Sequence, residues 1–289
     1  DMGQGNSSTY LQMAGDLLAQ PAHDIEAVQP DTGKTFPCGS ASASRTTYTF
    51  GNALLMAAKS LKKRLLARTA DLLMVDNPED LVLLPGAIRH LPSGREVALG
   101  RLGKALHKDE RSATGYFRAP VSREAPSPNQ NLRLHGFPHA IFSYGVHLVR
   151  MEIDELTGCI SVHDYLTIND CGQIINSVIF SGQMEGAVVQ GLGYALYESA
   201  TVSKGCLQNG DFTTYIIPTS MDAPRIETIA MQLEEQSGPH GLKGAGEIGI
   251  AGPVAAVSNA VGDALGKRLF AFPATPERIL SVLMTEGAS

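Results

Sequence analysis

Near the start of the chain Leu11, Ala14, Leu17 and Leu18 recur at helical spacing on one face, and Pro21 ends the run. This predicts a helix over 7–19. Ile25 to Val28 reads as a short strand. Arg45 to Arg68 reads as one long helix, rich after Gly51 in Ala and Leu, which favour helix intrinsically. Between 71 and 92, short apolar runs broken by Asp76-Asn77-Pro78 and Pro85-Gly86 predict hairpin strands. Leu99, Leu102 and Leu106 mark a short amphipathic helix. Ser122 to Asn131, with Pro126 and Pro128, reads as a long loop. It separates a first subdomain over 1–130 from a second over 131–289.

Beyond that loop, His139–Asp154 and Cys159–Asn169 read as two strands joined at Glu155-Leu156-Thr157-Gly158, both apolar enough to be buried. Ser177–Glu198 reads as a helix despite its internal glycines, and Ile226–Leu233 alternates like a strand. Pro253–Leu265 is predicted helical, with Pro in its first turn and Gly266 just past its end. Strands and helices without regular alternation point to an α+β fold, mixed sheets packed with helices in two subdomains, rather than a doubly wound parallel sheet.

Composition narrows the function. The chain has 289 residues, 43% of them hydrophobic and 18% charged, enough for a substantial core. A net charge of −6 disfavours a nucleic-acid or anionic-membrane binder. The basic cluster Lys62, Lys63, Arg64 and Arg68 reads as one solvated helix face. No apolar run is expected to reach membrane-spanning length, and Asp1-Met-Gly-Gln-Gly5 lacks the features of a signal peptide. A start at Asp1 is expected to follow an upstream portion. Cys38, Cys159, Cys171 and Cys206 show no C-x-x-C spacing, which disfavours a zinc ribbon or an iron–sulfur site held by this chain alone. Reduced thiols in the cytoplasm are the economical reading.

Four segments combine glycine with small polar residues: Gly3-Gln4-Gly5, Gly39 to Arg45, Gly182-Gln183-Met184-Glu185-Gly186 and Gly241 to Glu247. Such loops let backbone N–H groups approach an anionic ligand, and three stand just before predicted helices, where a phosphate is well received. Gly244 to Gly249 matches the dinucleotide fingerprint G-x-G-x-x-G. Turn residues precede it and no acidic residue follows at the required distance, so NAD binding there is rejected. Glu247 stands among Gly and Ala. It reads either as a surface-turn glutamate or as a desolvated carboxylate suited to base chemistry. Gln183 reads as a solvent-facing polar residue or a ligand contact, and Arg45 as an ion-pair partner or a phosphate contact. His135, His139 and His147 lack metalloprotease spacing, and no G-x-S-x-G elbow occurs.

In this order the loops resemble those of the molybdenum hydroxylases, the family of xanthine dehydrogenase, aldehyde oxidoreductase, carbon monoxide dehydrogenase and nicotinate dehydrogenase. The resemblance is carried by Met2-Gly-Gln-Gly5, Asp31-Thr-Gly33 through Gly39-Ser-Ala-Ser-Ala-Ser-Arg-Thr46, Asn169 to Asn176 with Gly182 to Gly193, Tyr215-Ile-Ile-Pro-Thr219, and Lys243 to Gly249. It implies that Gln4 and Gln183 hydrogen-bond the pterin and its phosphate, with Gly3, Gly5 and Gly246 in the same cofactor loops. Ser42, Ala43 and Ser44 would offer loop contacts, with Arg45 and Thr46 near the pyrophosphate or nucleotide end. The cofactor implied is molybdopterin in its cytosine dinucleotide form. No side chain would ligate molybdenum, which the pterin dithiolene holds. Glu247 matches the family's glutamate beside the metal, the base in a hydroxylation that takes its oxygen from water.

The implied substrate is a small molecule, a purine or other N-heterocycle or an aldehyde. Electrons would leave through [2Fe–2S] clusters and FAD on partner domains or subunits of an oligomer. The chain matches the C-terminal half of the family's molybdenum domain. Further active-site groups are therefore expected from the upstream half or a separate subunit, and the chain alone is expected to be inactive. Ser177 stands where relatives usually have proline. Two other readings stay open: a cofactor-binding scaffold or assembly relative that does no hydroxylation, and a structural domain without cofactor.

Overall fold

The computed structural model describes residues 1–28, 30–36, 38–120 and 140–284. The expected boundary at 130/131, the loop over 122–131, and His135 and His139 lie outside the described residues. The chain separates into two compact units, residues 1–142 with 234–244 and residues 143–233 with 245–289. The second unit is thus interrupted by a short excursion of chain that belongs to the first.

In the first unit, α1 (Asn6–Leu18) packs against α2 (Thr46–Leu73). Gln20, just past α1, donates to the carbonyls of Leu18 and Leu84 and accepts from the Gly86 N–H, tying the helix end to a hairpin. That hairpin is β1 (Leu81–Leu84) and β2 (Ala87–His90), turning at Pro85-Gly86, where Gly86 takes φ 73°. β3 (Glu96–Ala98) completes a three-stranded antiparallel sheet. Leu81, Leu83, Ile88 and Val97 meet Ala70 of α2, Leu102 of α3 (Leu99–Ala105) and Leu106 in one buried cluster. The excursion 234–244 is fixed to α2. Tyr48 donates to Ser237 Oγ at 3.0 Å, and the buried Asn52 amide donates to the Ser237 carbonyl.

The second unit is built on a sheet in the order β4 (Tyr144–Ile153), β5 (Ile160–Asp170), β8 (Arg225–Ala230), with β4 antiparallel and β8 parallel to β5. Asp154 shapes the β4–β5 turn, accepting from the Leu156 N–H and the Thr157 hydroxyl, with Gly158 at φ 74°. These bonds stabilise the ionised carboxylate and hold the Asp154 pKa below the usual range. One face of the sheet packs on α4 (Ser177–Leu196), α6 (Pro253–Leu265) and α7 (Pro276–Met284), with Tyr165, Val188, Leu192, Val257, Val261 and Ile279 in the core. The remaining elements are a small hairpin, β6 (Val202–Ser203) and β7 (Cys206–Leu207), and the single turn α5 (Ile248–Ala251).

Several expectations need correction. Ile25–Val28 forms no strand. Three of its four residues are exposed, so it has no apolar face to bury in a sheet. The hairpin begins only at Leu81, because α2 runs on to Leu73. β4 is half-buried on one side alone, since Tyr144, Val146 and Leu148 are exposed on the other. Gly182–Gly186, grouped above with the glycine-rich loops, lies inside α4, as the helix read over Ser177–Glu198 requires. The stretch Ile248–Leu265 does reach membrane-spanning length and apolarity, with mean hydropathy 1.3. It is, however, two elements, α5 and α6, which meet at Gly252-Pro253, and α6 buries Ala256, Val257 and Val261 in the core. Of the basic cluster, Lys62 and Lys63 are exposed as expected, whereas Arg64 and Arg68 are half-buried, Arg64 donating to the Asp109 carbonyl and Arg68 pairing with Asp71 at 3.6 Å.

Gly191 sets the approach of α4 to α6, for a Cβ there would lie 2.5 Å from the Pro253 ring. Gly191→Ala is expected to destabilise the chain by about 1–3 kcal/mol through overpacking. Gly182→Ala, on an open face of the same helix, is expected to stabilise it by up to about 1 kcal/mol. Urea denaturation midpoints of the two variants check the contrast.

Candidate functional site

The first unit gathers two glycine-rich loops at two helix N-termini. Gly3 (φ 118°) and Gly5 (φ 79°) turn the chain into α1, and the loop over 39–45 turns it into α2. Ala43 (φ 55°) and Ser44 (φ 51°) are both left-handed, a costly backbone for residues with side chains. It is supported from behind by Gly244, where a Cβ would lie 1.3 Å from the Ser44 carbonyl oxygen. Thr47 of α2 donates to Asn6 of α1 at 3.2 Å, so the two helix starts are neighbours. Neither helix has an acidic residue in its first turn, which leaves two partial positive ends side by side.

The donors here already engage an anion. The Asp1 carboxylate accepts from the N–H of Gly3 at 2.8 Å and of Ser7 at 2.9 Å. A cavity of about 530 Å³ lies against Asp1, Gly3, Gly5, Ser7 and Pro30. Gln4 turns back on the loop, accepting from the Met2 N–H. Arg45 folds over its own loop, 3.3 Å from Ser40 Oγ. Thr46 is the first residue of α2. An oxyanion of a phosphate has the charge and acceptor chemistry that these amides present.

The second unit brings Gln183, Gly246 and Glu247 together. The Gln183 side chain donates to the Gly246 carbonyl at 3.2 Å. A cavity of about 750 Å³ is lined by both loop residues, by Gly182, Gln183, Gly186, Ala187 and Gln190 of α4, and by Ile250 and Ala251 of α5. Nothing stands within 4 Å of where a Cβ would project at Gly182 or Gly186, so this side of α4 is open. Behind the loop, Ala245 and Ile248 pack on buried Cys171, Phe180 and Met184. Gly249 lets α5 come down on α4, since a Cβ there would be 2.8 Å from the Ala187 methyl. Glu247 is the N-cap residue of α5 and is exposed at the cavity, while its neighbour Gly249 is buried.

Gln190 and Ala187 were missed by sequence reasoning. Ala187 lies four and Gln190 seven residues on from Gln183, a spacing that would have placed them on the same helix face. His147, considered above only as a metal ligand, hydrogen-bonds Tyr165. Among the described residues no cluster of three metal-ligating side chains occurs.

The molybdopterin cofactor-binding domain model matches residues 1–224. The chain is 31% identical over 284 residues to the nicotine 6-hydroxylase large subunit of Paenarthrobacter nicotinovorans, covering 96% of this chain and 34% of that protein. It is 27% identical to the xanthine dehydrogenase molybdenum-binding subunit of Escherichia coli O157:H7, covering 96% and 36%. The crystal structure of quinoline 2-oxidoreductase from Pseudomonas putida 86 superposes with a TM-score of 0.80 at 27% identity, over 99% of this chain and 36% of that one. The family model and the fold thus define a cofactor-binding α+β protein of the molybdenum hydroxylase class. The chain belongs to the molybdopterin cofactor-binding domain family and spans about a third of the length of the relatives it matches.

Gly244→Ala is expected to displace the Ser44 carbonyl and release the strained pair Ala43–Ser44. Hydrogen exchange should then quicken about tenfold in peptides covering residues 40–48 and stay unchanged in β5 and α6.

Proposed function

We propose that this chain supplies the cofactor loops and the proton acceptor of a molybdenum hydroxylase acting on an N-heterocycle, with purines first among candidates, or on an aldehyde. The observation that carries the proposal is one carboxylate, Glu247, standing with Gln183 on a cavity of about 750 Å³ whose helix wall is kept open by glycine. The fit to a pterin–phosphate ligand is supported by the donor set. Gly3 and Ser7 amides hold the carboxylate oxygens of Asp1, so they suit an oxyanion, and a phosphate would take that side chain's place. The named substrates of two relatives, nicotine and xanthine, and quinoline in the solved structure, support the heterocycle class.

In this reading Gly3, Gln4, Gly5, Ser42, Ala43, Ser44, Arg45 and Thr46 hold the phosphate end of molybdopterin, in its cytosine dinucleotide form. Gln183 and Gly246 line the reacting end. When bound, the cofactor would supply a water-derived oxygen and would take up the hydrogen of the substrate C–H bond with its two electrons. Glu247 would accept a proton at its carboxylate, which its exposed position at the cavity makes accessible. Gln183 fixes the Gly246 carbonyl and with it the backbone that presents Glu247. Electrons leave through [2Fe–2S] clusters and FAD on partner domains or subunits. The four cysteines are unbridged, which supports a reducing, cytoplasmic setting.

Replacing Glu247 by Gln keeps the shape and removes the base. In the complete enzyme kcat/KM should fall by about 10²–10⁴-fold, with molybdenum and pterin content unchanged. Wild-type turnover in a variant that retains cofactor would sink the assignment and favour a non-catalytic scaffold. Mild acid release should yield cytidine nucleotide in step with molybdenum. Metal with no released nucleotide would overturn the dinucleotide form.

A further inference from the structure

The ring of His147 lies outside the set of residues that line the cavity, yet it is held from three sides. His147 stands on β4 among the odd-numbered residues that face the helices. Its Nδ1 is 2.9 Å from the hydroxyl of Tyr165. Tyr165 is 1% exposed and belongs to the main core, its ring edge-on to the imidazole at 5.8 Å between centroids. Burial lowers the ring's proton affinity and favours the neutral form, against a smaller influence of the Ile248 backbone, which favours the protonated ring. In the neutral ring Nδ1 accepts from the Tyr165 hydroxyl. On the third side is Gly252, where a Cβ would lie 2.1 Å from His147 Cδ2.

The turn that this ring touches needs outside support. α5 is four residues long, too short to hold itself, and its N-cap residue Glu247 makes no side-chain capping bond. We infer that Tyr165 and His147 are positioning residues for Glu247, a hydrogen-bonded strut running from the core to the first turn of α5. The inference rests on the reading of Glu247 as proton acceptor. Ile248 is the residue next after Glu247, and the Glu247 carbonyl accepts from the Ile250 N–H at 3.3 Å. Holding the ring against Ile248 and Gly252 orients the turn that carries the carboxylate. Gly145, two residues before His147, supports the same turn, for a Cβ there would lie 3.1 Å from Ile248 Cγ1.

Tyr165→Phe removes only the hydroxyl and keeps the core ring. His147→Phe removes the bond to Tyr165, whereas His147→Gln retains polar groups that can meet the hydroxyl. Gly252→Ala displaces the ring without altering a hydrogen-bonding group. In the complete enzyme, amide exchange over residues 248–252 should rise about tenfold in the Tyr165→Phe, His147→Phe and Gly252→Ala variants. His147→Gln should return part of the protection. kcat should fall by about tenfold to a hundredfold with KM little changed and molybdenum content intact. Added to Glu247→Gln, the same changes should cost nothing further, because the group being positioned is gone.

Unchanged exchange over 248–252 in these variants overturns the strut. An equal loss of kcat in the Glu247→Gln background overturns its action through Glu247. Wild-type turnover of Glu247→Gln alone would instead remove the base assignment, and exchange would still decide whether the strut holds the turn.

Discussion

The candidate chamber in the second unit depends on one steric constraint: α5 must lie closer to α4 and to β4 than side chains permit. Gly249 faces Ala187 of α4, and Gly252 faces the ring of His147 on β4. A Cβ at either position would fall well inside van der Waals contact. With those two contacts closed, Ile248 reaches the pocket of Cys171, Phe180 and Met184, and the peptide before it carries Glu247 to the cavity edge. A methyl at either glycine lifts the turn as a rigid piece, because cores of this density transmit displacement rather than absorb it. Glycine is placed here for space. Neither residue needs a left-handed backbone.

The first unit meets a different demand, which is to present amides without burying them unpaired. Two helices start beside each other with no acid of their own in the first turn, and their dipoles add at one place. Like partial charges at close range repel, so this arrangement is favoured only when an anion is bound between the donors. The Asp1 carboxylate serves in that way for Gly3 and Ser7. The left-handed pair Ala43–Ser44 adds strain at the start of α2. Gly244 is the site where the excursion 234–244 takes up the displaced Ser44 carbonyl. Strain that the surrounding chain holds in place is characteristic of backbone shaped for a ligand.

Much of the fold was legible in the sequence because periodicity is local. The face of Leu11, Ala14 and Leu18 gave α1, and Pro253 with Gly266 marked both ends of α6. The misreadings arose where distance in sequence hides proximity. Apolar β4 looked buried on both sides, yet its helices all pack on one face. Gly182 to Gly186 sits inside the helix read over 177–198, although glycine is rare within helices; here it serves the open wall of α4. Residues 234–244 follow β8 directly in sequence but fold with α2 through Ser237, a partnership that no local pattern encodes. At the site, the cofactor loops were legible as a motif order. The support from His147 and Tyr165 was not, because a histidine at an inward strand position reads like any half-buried side chain.

The break between α5 and α6 explains how an apolar stretch of chain comes to hold a carboxylate at a cavity. As one continuous helix, Ile248–Leu265 would have a single axis. Its first turn would follow the packing of Ala256, Val257 and Val261. Pro253 prevents this, because it has no N–H to continue the ladder and suits the first position of a new helix. The chain can then reorient at Gly252. α6 answers to the core, while α5 answers to α4 and His147. The carboxylate is thereby uncoupled from the stable core helix and governed by a few short-range contacts. A residue that exchanges a proton gains from this arrangement, since its position is fixed by bonds that can be tuned without repacking the core.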